Sequence, residues 1–210
     1  MTETILTARR KLISSAGAFL VAGASSPAKA QSQMKRRATP SQTEGPYYPV
    51  KEPKDTDFDL LSNGSRTYAK GQPSWIEGTV IDLDGRALNG GIVEIWQCDE
   101  DGHYDHPSDG ARMDPSFQGF GRVRLNADGE FRFRTIKPSA YAGRTPHIHV
   151  KLFLGARELL TTQLYVADDP GNAKDFLWRN MSAVDRAAVT SRFLPGADGL
   201  RAQYTLVVRV

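Results

Sequence analysis

Cysteine is nearly missing from this chain: Cys98 is the only one in 210 residues. Its solitude excludes an internal disulfide and any zinc site built on cysteine pairs, so stability must come from the core, with or without a bound ion. Long apolar runs are missing too. The stretch Ile13 to Ala24 is too short and too rich in Gly, Ala and Ser to span a bilayer, and nothing after it approaches about twenty apolar residues. A surplus of one charge is also lacking once the amino terminus is set aside. Residues 1–30 hold four basic side chains (Arg9, Arg10, Lys11, Lys29) and one acidic one (Glu3) out of totals of 27 and 24, which leaves 23 of each sign. A neutral mature chain carries no electrostatic footprint for nucleic acid or an anionic membrane, and neither is expected as a partner.

Residues 1–30 read as an export signal. Arg9-Arg10-Lys11 precedes the apolar run, and Ala28-Lys29-Ala30 supplies a small-residue cleavage pattern, so cleavage is expected after Ala30. The adjacent arginines resemble a twin-arginine signal, the class that exports proteins already folded, and place the mature protein in the periplasm. An ordinary secretory signal with two arginines in its charged region has the same appearance.

The remaining length suits one domain with a real core. Residues 31–42 are polar and basic with little to bury and are expected as a flexible lead-in, with the folded domain over residues 43–210. Short β-type runs dominate it: Trp75 to Leu83, Gly91 to Gln97, Gly121 to Leu125, Glu130 to Thr135, His147 to Leu154, Leu159 to Val166 and Gln203 to Val210. Asp84-Gly85 and Asn126-Ala127-Asp128-Gly129 are turn signals between them. In Ser182 to Leu194, by contrast, Ser182 is a helix cap and Val184, Ala188 and Phe193 recur at roughly helical spacing. The expected class is all-β: an antiparallel β-sandwich with one short peripheral helix.

Histidine is scarce as well, and its four copies fall in two short segments, His103-Tyr104-Asp105-His106 and His147-Ile148-His149. Along His147 to Leu154, Ile148, Val150, Leu152 and Leu154 share one strand face and His147, His149, Lys151 and Phe153 the other. The aliphatic face is expected in the core, which leaves the imidazoles facing a cleft or the far side of the sheet. Residues two apart on a strand lie about 6.6 Å apart along it, so both imidazoles can converge on one ion; an H-x-H pair on a solvated face shows the same spacing. A cupin-type site lacks its glutamate and its third histidine. Asp99-Glu100-Asp101-Gly102 departs from calcium-loop spacing, because His103 stands where an oxygen ligand is needed. Tyrosine is the remaining donor of interest.

Six blocks then occur in a familiar order: Glu44-Gly45-Pro46-Tyr47-Tyr48-Pro49, Val93-Glu94-Ile95-Trp96-Gln97, Gly102-His103-Tyr104-Asp105-His106, Thr135-Ile136-Lys137-Pro138-Ser139-Ala140-Tyr141, Arg144-Thr145-Pro146-His147-Ile148-His149 and Thr162-Gln163-Leu164-Tyr165. In this, from about Thr43 to Val210, the chain resembles the intradiol ring-cleavage dioxygenases, the protocatechuate 3,4-dioxygenases among them. The resemblance implies one non-haem Fe(III) per chain held by Tyr104, Tyr141, His147 and His149, with Tyr104 and His147 equatorial and Tyr141 and His149 axial. It implies a burgundy colour, and cleavage of catecholic substrates by O2 between the two hydroxylated carbons to muconate-type diacids. Arg144 and Gln163 match residues beside the substrate, Arg144 stabilising negative charge on the ring; Tyr141 matches the ligand that substrate displaces, and it accepts a diol proton. Tyr47 and Tyr48 are expected at the pocket mouth. His103 and His106 flank a ligand without being ligands, while Cys98 and Trp96 are expected as buried packing residues.

Only Ala142 and Gly143 separate Tyr141 from Arg144, a segment longer in the protocatechuate and catechol enzymes, and no tryptophan follows Tyr141. The resemblance is to the catalytic sandwich alone, with a more open cleft, and a homo-oligomer is compatible with it. The competing expectation is a non-catalytic, exported, transthyretin-like sandwich that carries a ligand on the same scaffold.

Overall fold

The computed structural model describes residues 36–210, and the expected export signal lies outside the described residues. The strands β1 (Ser62–Asn63) and β2 (Arg66–Thr67) form a small hairpin. Six longer ones follow: β3 (Pro73–Asp82), β4 (Ile92–Trp96), β5 (Phe120–Arg124), β6 (Glu130–Ile136), β7 (His147–Leu154) and β8 (Arg157–Val166). Two short helices, α1 (Phe176–Asn180) and α2 (Ala183–Val189), lead to β9 (Thr190–Ser191), β10 (Leu194–Gly196) and β11 (Gly199–Val208).

Two sheets pack face to face, one in the order β10-β11-β3-β6 and the other β5-β4-β7-β8-β9. Ile76, Val80, Phe131, Phe133 and Leu206 from the first meet Val93, Ile95, Ile148, Val150 and Leu164 from the second in one buried cluster. Each such side chain contributes about 1.5–3 kcal/mol by leaving water. The β-sandwich expected from the alternating runs is therefore observed. Two pairings differ from a purely antiparallel arrangement: β11 lies parallel to β3, and β9 parallel to β8. Both join strands far apart in sequence, where a long connection removes the antiparallel constraint of a tight hairpin.

The helical region also differs from the single helix expected over Ser182 to Leu194. Ser182 does cap α2, accepting from the Asp185 amide, but the helix stops at Val189, where the β-branched Thr190 enters β9 beside Tyr165. A second helix, α1, precedes it, capped by Asp175.

The lead-in departs most from expectation. Its described part, residues 36–42, is tied to the sandwich: the Arg36 amide donates to Leu83, that of Thr39 to Val207 and that of Gln42 to Thr161. These bonds satisfy backbone groups of the sheet edge, which is what a polar segment can offer without an apolar face of its own. Beyond Gln42 the chain crosses the outer face of the five-stranded sheet. There Glu44 pairs with Lys151, the Tyr48 hydroxyl donates to Glu94 at 2.7 Å, and Glu52 pairs with Arg122, which also grips the buried Glu94. The imidazole face of β7 is thus covered by the protein's own chain.

Candidate metal centre

Register across the five-stranded sheet builds the floor of the site. His149 of β7 lies opposite Trp96 of β4 on one side and Gln163 of β8 on the other, and Trp96 lies opposite Phe120 of β5. His147 lies opposite Tyr165. Because paired residues share a face, His147, His149, Trp96, Phe120, Gln163 and Tyr165 all project from the outer surface, away from Ile148, Val150 and Leu164. The indole of Trp96 stacks on the His149 ring with centroids 4.8 Å apart and planes 12° apart.

Two loops bring the phenols over this floor. Asp99 shapes the first: its carboxylate accepts from the amides of Asp101, His103 and Asp114, so the acidic run with a partial likeness to a calcium loop organises a turn instead. Gly102, at φ 84°, brings that turn so close to Ala140 that a Cβ would lie 3.0 Å from the Ala140 carbonyl oxygen, which sets the two phenol-bearing loops side by side. Asp109 then accepts from the Tyr104 amide at 2.9 Å. In the second loop Ala142 and Gly143 both have positive φ and close a tight turn, with the Arg144 amide donating to the Tyr141 carbonyl at 2.7 Å. The short spacing between Tyr141 and Arg144 is what places them as neighbours.

The four ring systems converge. Centroids of Tyr104 and Tyr141 are 4.9 Å apart, those of Tyr141 and His147 5.3 Å, and those of Tyr104 and His149 6.0 Å. The Nε2 atoms of His147 and His149 face each other at 3.2 Å. Since His147 Nδ1 lies 2.6 Å from the Thr145 carbonyl, an acceptor only, the proton must sit on Nδ1, and Nε2 carries the lone pair that faces His149. Two imidazole nitrogens about 2.1 Å from one ion, at right angles around it, lie about 3 Å apart, so the pair fits a shared cation. Tyr104 is 2% exposed, and its hydroxyl has no hydrogen-bond partner, an orphaned oxygen beside this pair. Among the described residues no three or more His, Cys, Asp or Glu side chains form a metal-binding group. A cation held between the imidazoles would therefore draw its further donors from the phenols of Tyr104 and Tyr141. Two phenolates and two neutral imidazoles suit a hard, highly charged ion such as Fe(III), so these residues fit the iron of the resemblance.

Burial sets the charge states. It depresses the His147 imidazole from its usual 6.5 to about 4 and pushes His149 well below its usual value, while the phenols of Tyr104 and Tyr141 are pushed up. Imidazoles held neutral are ready ligands, and they also make a prediction for the metal-free protein. The unfolded chain takes up a proton near pH 6.5 that folded His147 refuses until about pH 4, so stability falls as pH drops through that window, by about 3 kcal/mol for His147 alone. Urea unfolding at pH 7 and pH 4.5 measures it. Equal stabilities at the two values would mean that the imidazoles are not buried as neutral groups.

The expected site residues separate into distinct places. Tyr47 joins the centre, stacked on Tyr104 at 4.7 Å and edge-on to Tyr141 at 5.8 Å. With Trp96, Tyr104, Asp105, Gln118 and Phe120 it lines a cavity of about 330 Å³, whose walls do not include Tyr141, Arg144, Gln163 or the two histidines of β7. Tyr48, expected at the pocket mouth, does not line this cavity; Glu94 holds its hydroxyl, and its ring packs between Lys151 and the edge of Trp96. Arg144 is not a surface ion pair: Asp175 accepts from its Nε at 2.6 Å and Gln163 Oε1 from its Nη2 at 2.6 Å. His103 contacts Asp109, while His106 accepts from the Ser108 amide and meets the Tyr47 ring edge. Cys98 is fully buried, its thiol pushed up to about 12 by desolvation, in keeping with an inert packing role. A larger groove of about 1010 Å³ lies on the far sheet and contains none of these residues. Two participants escape a reading of the sequence. Trp96 is visible there as an apolar residue on β4 but its stacking on His149 is not, and Asp175 lies outside all six blocks.

Known proteins resemble the chain over most of its described length. The family model Dioxygenase_C, described as "Dioxygenase", matches residues 43–208. The chain is 35% identical over 161 residues to the protocatechuate 3,4-dioxygenase beta chain of Burkholderia cepacia, covering 70% of this chain and 68% of that protein. It is 30% identical over 159 residues to catechol 1,2-dioxygenase of Acinetobacter baylyi, covering 67% of this chain and 50% of that enzyme. Among solved structures, the dioxygenase domain of a dioxygenase carbohydrate-binding protein fusion from Streptomyces sp. SirexAA-E superposes with a TM-score of 0.66 at 32% identity, over 83% of this chain and 99% of that domain. The family match runs through both phenol loops and the histidine strand, and it makes the chain a member of the intradiol ring-cleavage dioxygenase family.

Proposed function

We propose that this chain binds one non-haem Fe(III) through Tyr104, Tyr141, His147 and His149 and opens catechol-type rings between their two hydroxylated carbons with O2, releasing muconate-type diacids. We propose also that residues 1–30 direct it through the twin-arginine route to the periplasm, in keeping with a protein that takes up its metal while folding in the cytoplasm. The observation that carries the catalytic reading is the orphaned Tyr104 hydroxyl beside two Nε2 atoms 3.2 Å apart. Iron supplies Lewis acidity when bound, drawing electron density from a chelated diol.

The rest falls to the protein. Tyr47, Trp96 and Phe120 wall the cavity beside Tyr104 and give a flat aromatic substrate apolar surfaces to lie against. Tyr141, less buried than Tyr104, would be a phenolate as an iron ligand, and in that form its Oη could accept a diol proton as substrate enters. Arg144, fixed by Asp175 and Gln163 at the end of the Tyr141 turn, carries a positive charge that stabilises negative charge developing on the ring. The Thr145 carbonyl keeps His147 in the Nδ1–H tautomer, leaving Nε2 as the donor atom.

The test uses the full chain expressed with ample iron. One iron per chain, a broad visible absorption that shifts on adding catechol, and ultraviolet-absorbing muconate formed with uptake of one O2 are the expected results. A colourless, iron-free preparation that binds catechols without consuming O2 would instead make this a carrier.

A further inference from the structure

Asp175 is buried to 1% exposure, stands outside the six sequence blocks and reaches the centre through Arg144 and Thr145. Its Oδ2 accepts from Arg144 Nε at 2.6 Å and from the Thr145 amide at 3.0 Å, while Oδ1 accepts from the Trp178 amide at 3.0 Å and so caps α1. A carboxylate this deep is tolerated because a guanidinium and two amides compensate it.

Two consequences run from this one group. With Nε on Asp175 and Nη2 on Gln163, the Arg144 fork is held at two corners, so its plane and position are set before substrate arrives. Gln163 is in turn anchored through its Nε2 to the Thr43 carbonyl at 3.0 Å. The second consequence passes through Thr145. Its amide is fixed by Asp175, its hydroxyl lies 2.8 Å from Asn172 Oδ1, and Pro146 behind it restricts its backbone to extended conformations. Its carbonyl is the group that receives the His147 Nδ1 proton at 2.6 Å.

We infer that Asp175 is a positioning residue with two outputs, the orientation of the Arg144 guanidinium and the Nδ1–H tautomer of His147, which tie the turn before α1 to the reacting centre. The first output rests on the ring-cleavage reading; the second does not.

The experiment compares Asp175→Asn, which keeps shape and removes charge, with Asp175→Glu, which keeps charge and moves it by one methylene. Ser182→Ala serves as a control that loses only the neighbouring cap of α2. Nitrogen NMR of the metal-free proteins reads the His147 tautomer: a single Nδ1–H form is expected in the wild type and in Ser182→Ala, and a mixture in Asp175→Asn. In iron-loaded protein, kcat of Asp175→Asn is expected to fall about 100-fold and that of Asp175→Glu about tenfold, with KM changed by less than about threefold, in the range typical when support behind a ligand is lost. Ser182→Ala is expected to lower the melting temperature and leave kcat unchanged. A folded Asp175→Asn with wild-type kcat and a single Nδ1–H tautomer overturns the inference. Should that variant fail to fold, wild-type kcat and tautomer in Asp175→Glu overturn it equally. If the wild type itself cleaves no catechol, the ring-cleavage reading fails, and the tautomer comparison alone decides the role of Asp175.

Discussion

Tyr104→Phe is expected to yield a colourless protein that neither retains iron nor cleaves catechol, and that is nevertheless more stable than the wild type when both are metal-free. The two effects have one cause. In the metal-free fold the Tyr104 hydroxyl is buried without a partner, a burden of about 1–3 kcal/mol, and phenylalanine fills the same space against Tyr47 and Tyr141 without it. With metal, that same oxygen would be the proposed ligand, which phenylalanine cannot replace. Losing a group that merely supports a ligand weakens binding by about 10–100-fold, so losing the ligand itself should weaken iron binding by at least about 100-fold. Urea unfolding of the metal-free pair and iron content after dialysis read the two effects separately. A Tyr104→Phe protein that stays coloured, or that unfolds at lower urea than wild type, would show that this oxygen is not held in reserve for a metal.

Tyr104 is also a residue whose place in the site is legible from amino-acid order, while its setting is not. Alternating runs mark the strands to within a few residues, and His147 to Leu154 coincides with β7, because a strand with one face in the core has only one register that buries its aliphatic residues. The tyrosines proposed as ligands are legible through the order of blocks. Their surroundings are not, because these depend on contacts between segments that share no local pattern. Residues 36–42 carry no apolar face, so composition marks them as flexible, although their bonds to Leu83, Val207 and Thr161 come from edges that other parts of the chain provide. Tyr47 and Tyr48 are adjacent and chemically identical; the Glu94 carboxylate, buried beside Arg122, and the Lys151 and Trp96 side chains hold Tyr48 away from the cavity. Asp175 caps α1 locally, and its hold on Arg144 spans 31 positions.

Arg144→Ala is expected to produce the opposite pattern from Tyr104→Phe: iron and colour retained, turnover lost, and stability reduced. None of the four proposed ligands is touched, and the Thr145 carbonyl that orients His147 remains, so the centre still fills. What disappears is a positive charge fixed by Asp175 and Gln163 at the moment negative charge builds on the substrate. Removing one such preorganised group typically costs about 10²–10³ in kcat. Stability falls because Asp175, whose side chain has no exposure, keeps its charge and loses the guanidinium that matched it; stripping one partner from a buried pair costs about 3–5 kcal/mol. The sign of the stability change therefore distinguishes the two residues independently of kinetics, one burying an unused hydroxyl and the other compensating a buried carboxylate. Unfolding of the two metal-free variants beside wild type, with catechol turnover of the iron-loaded forms, tests both statements. A coloured Arg144→Ala protein that cleaves catechol at the wild-type rate would remove Arg144 from the chemistry and leave it as packing for Asp175.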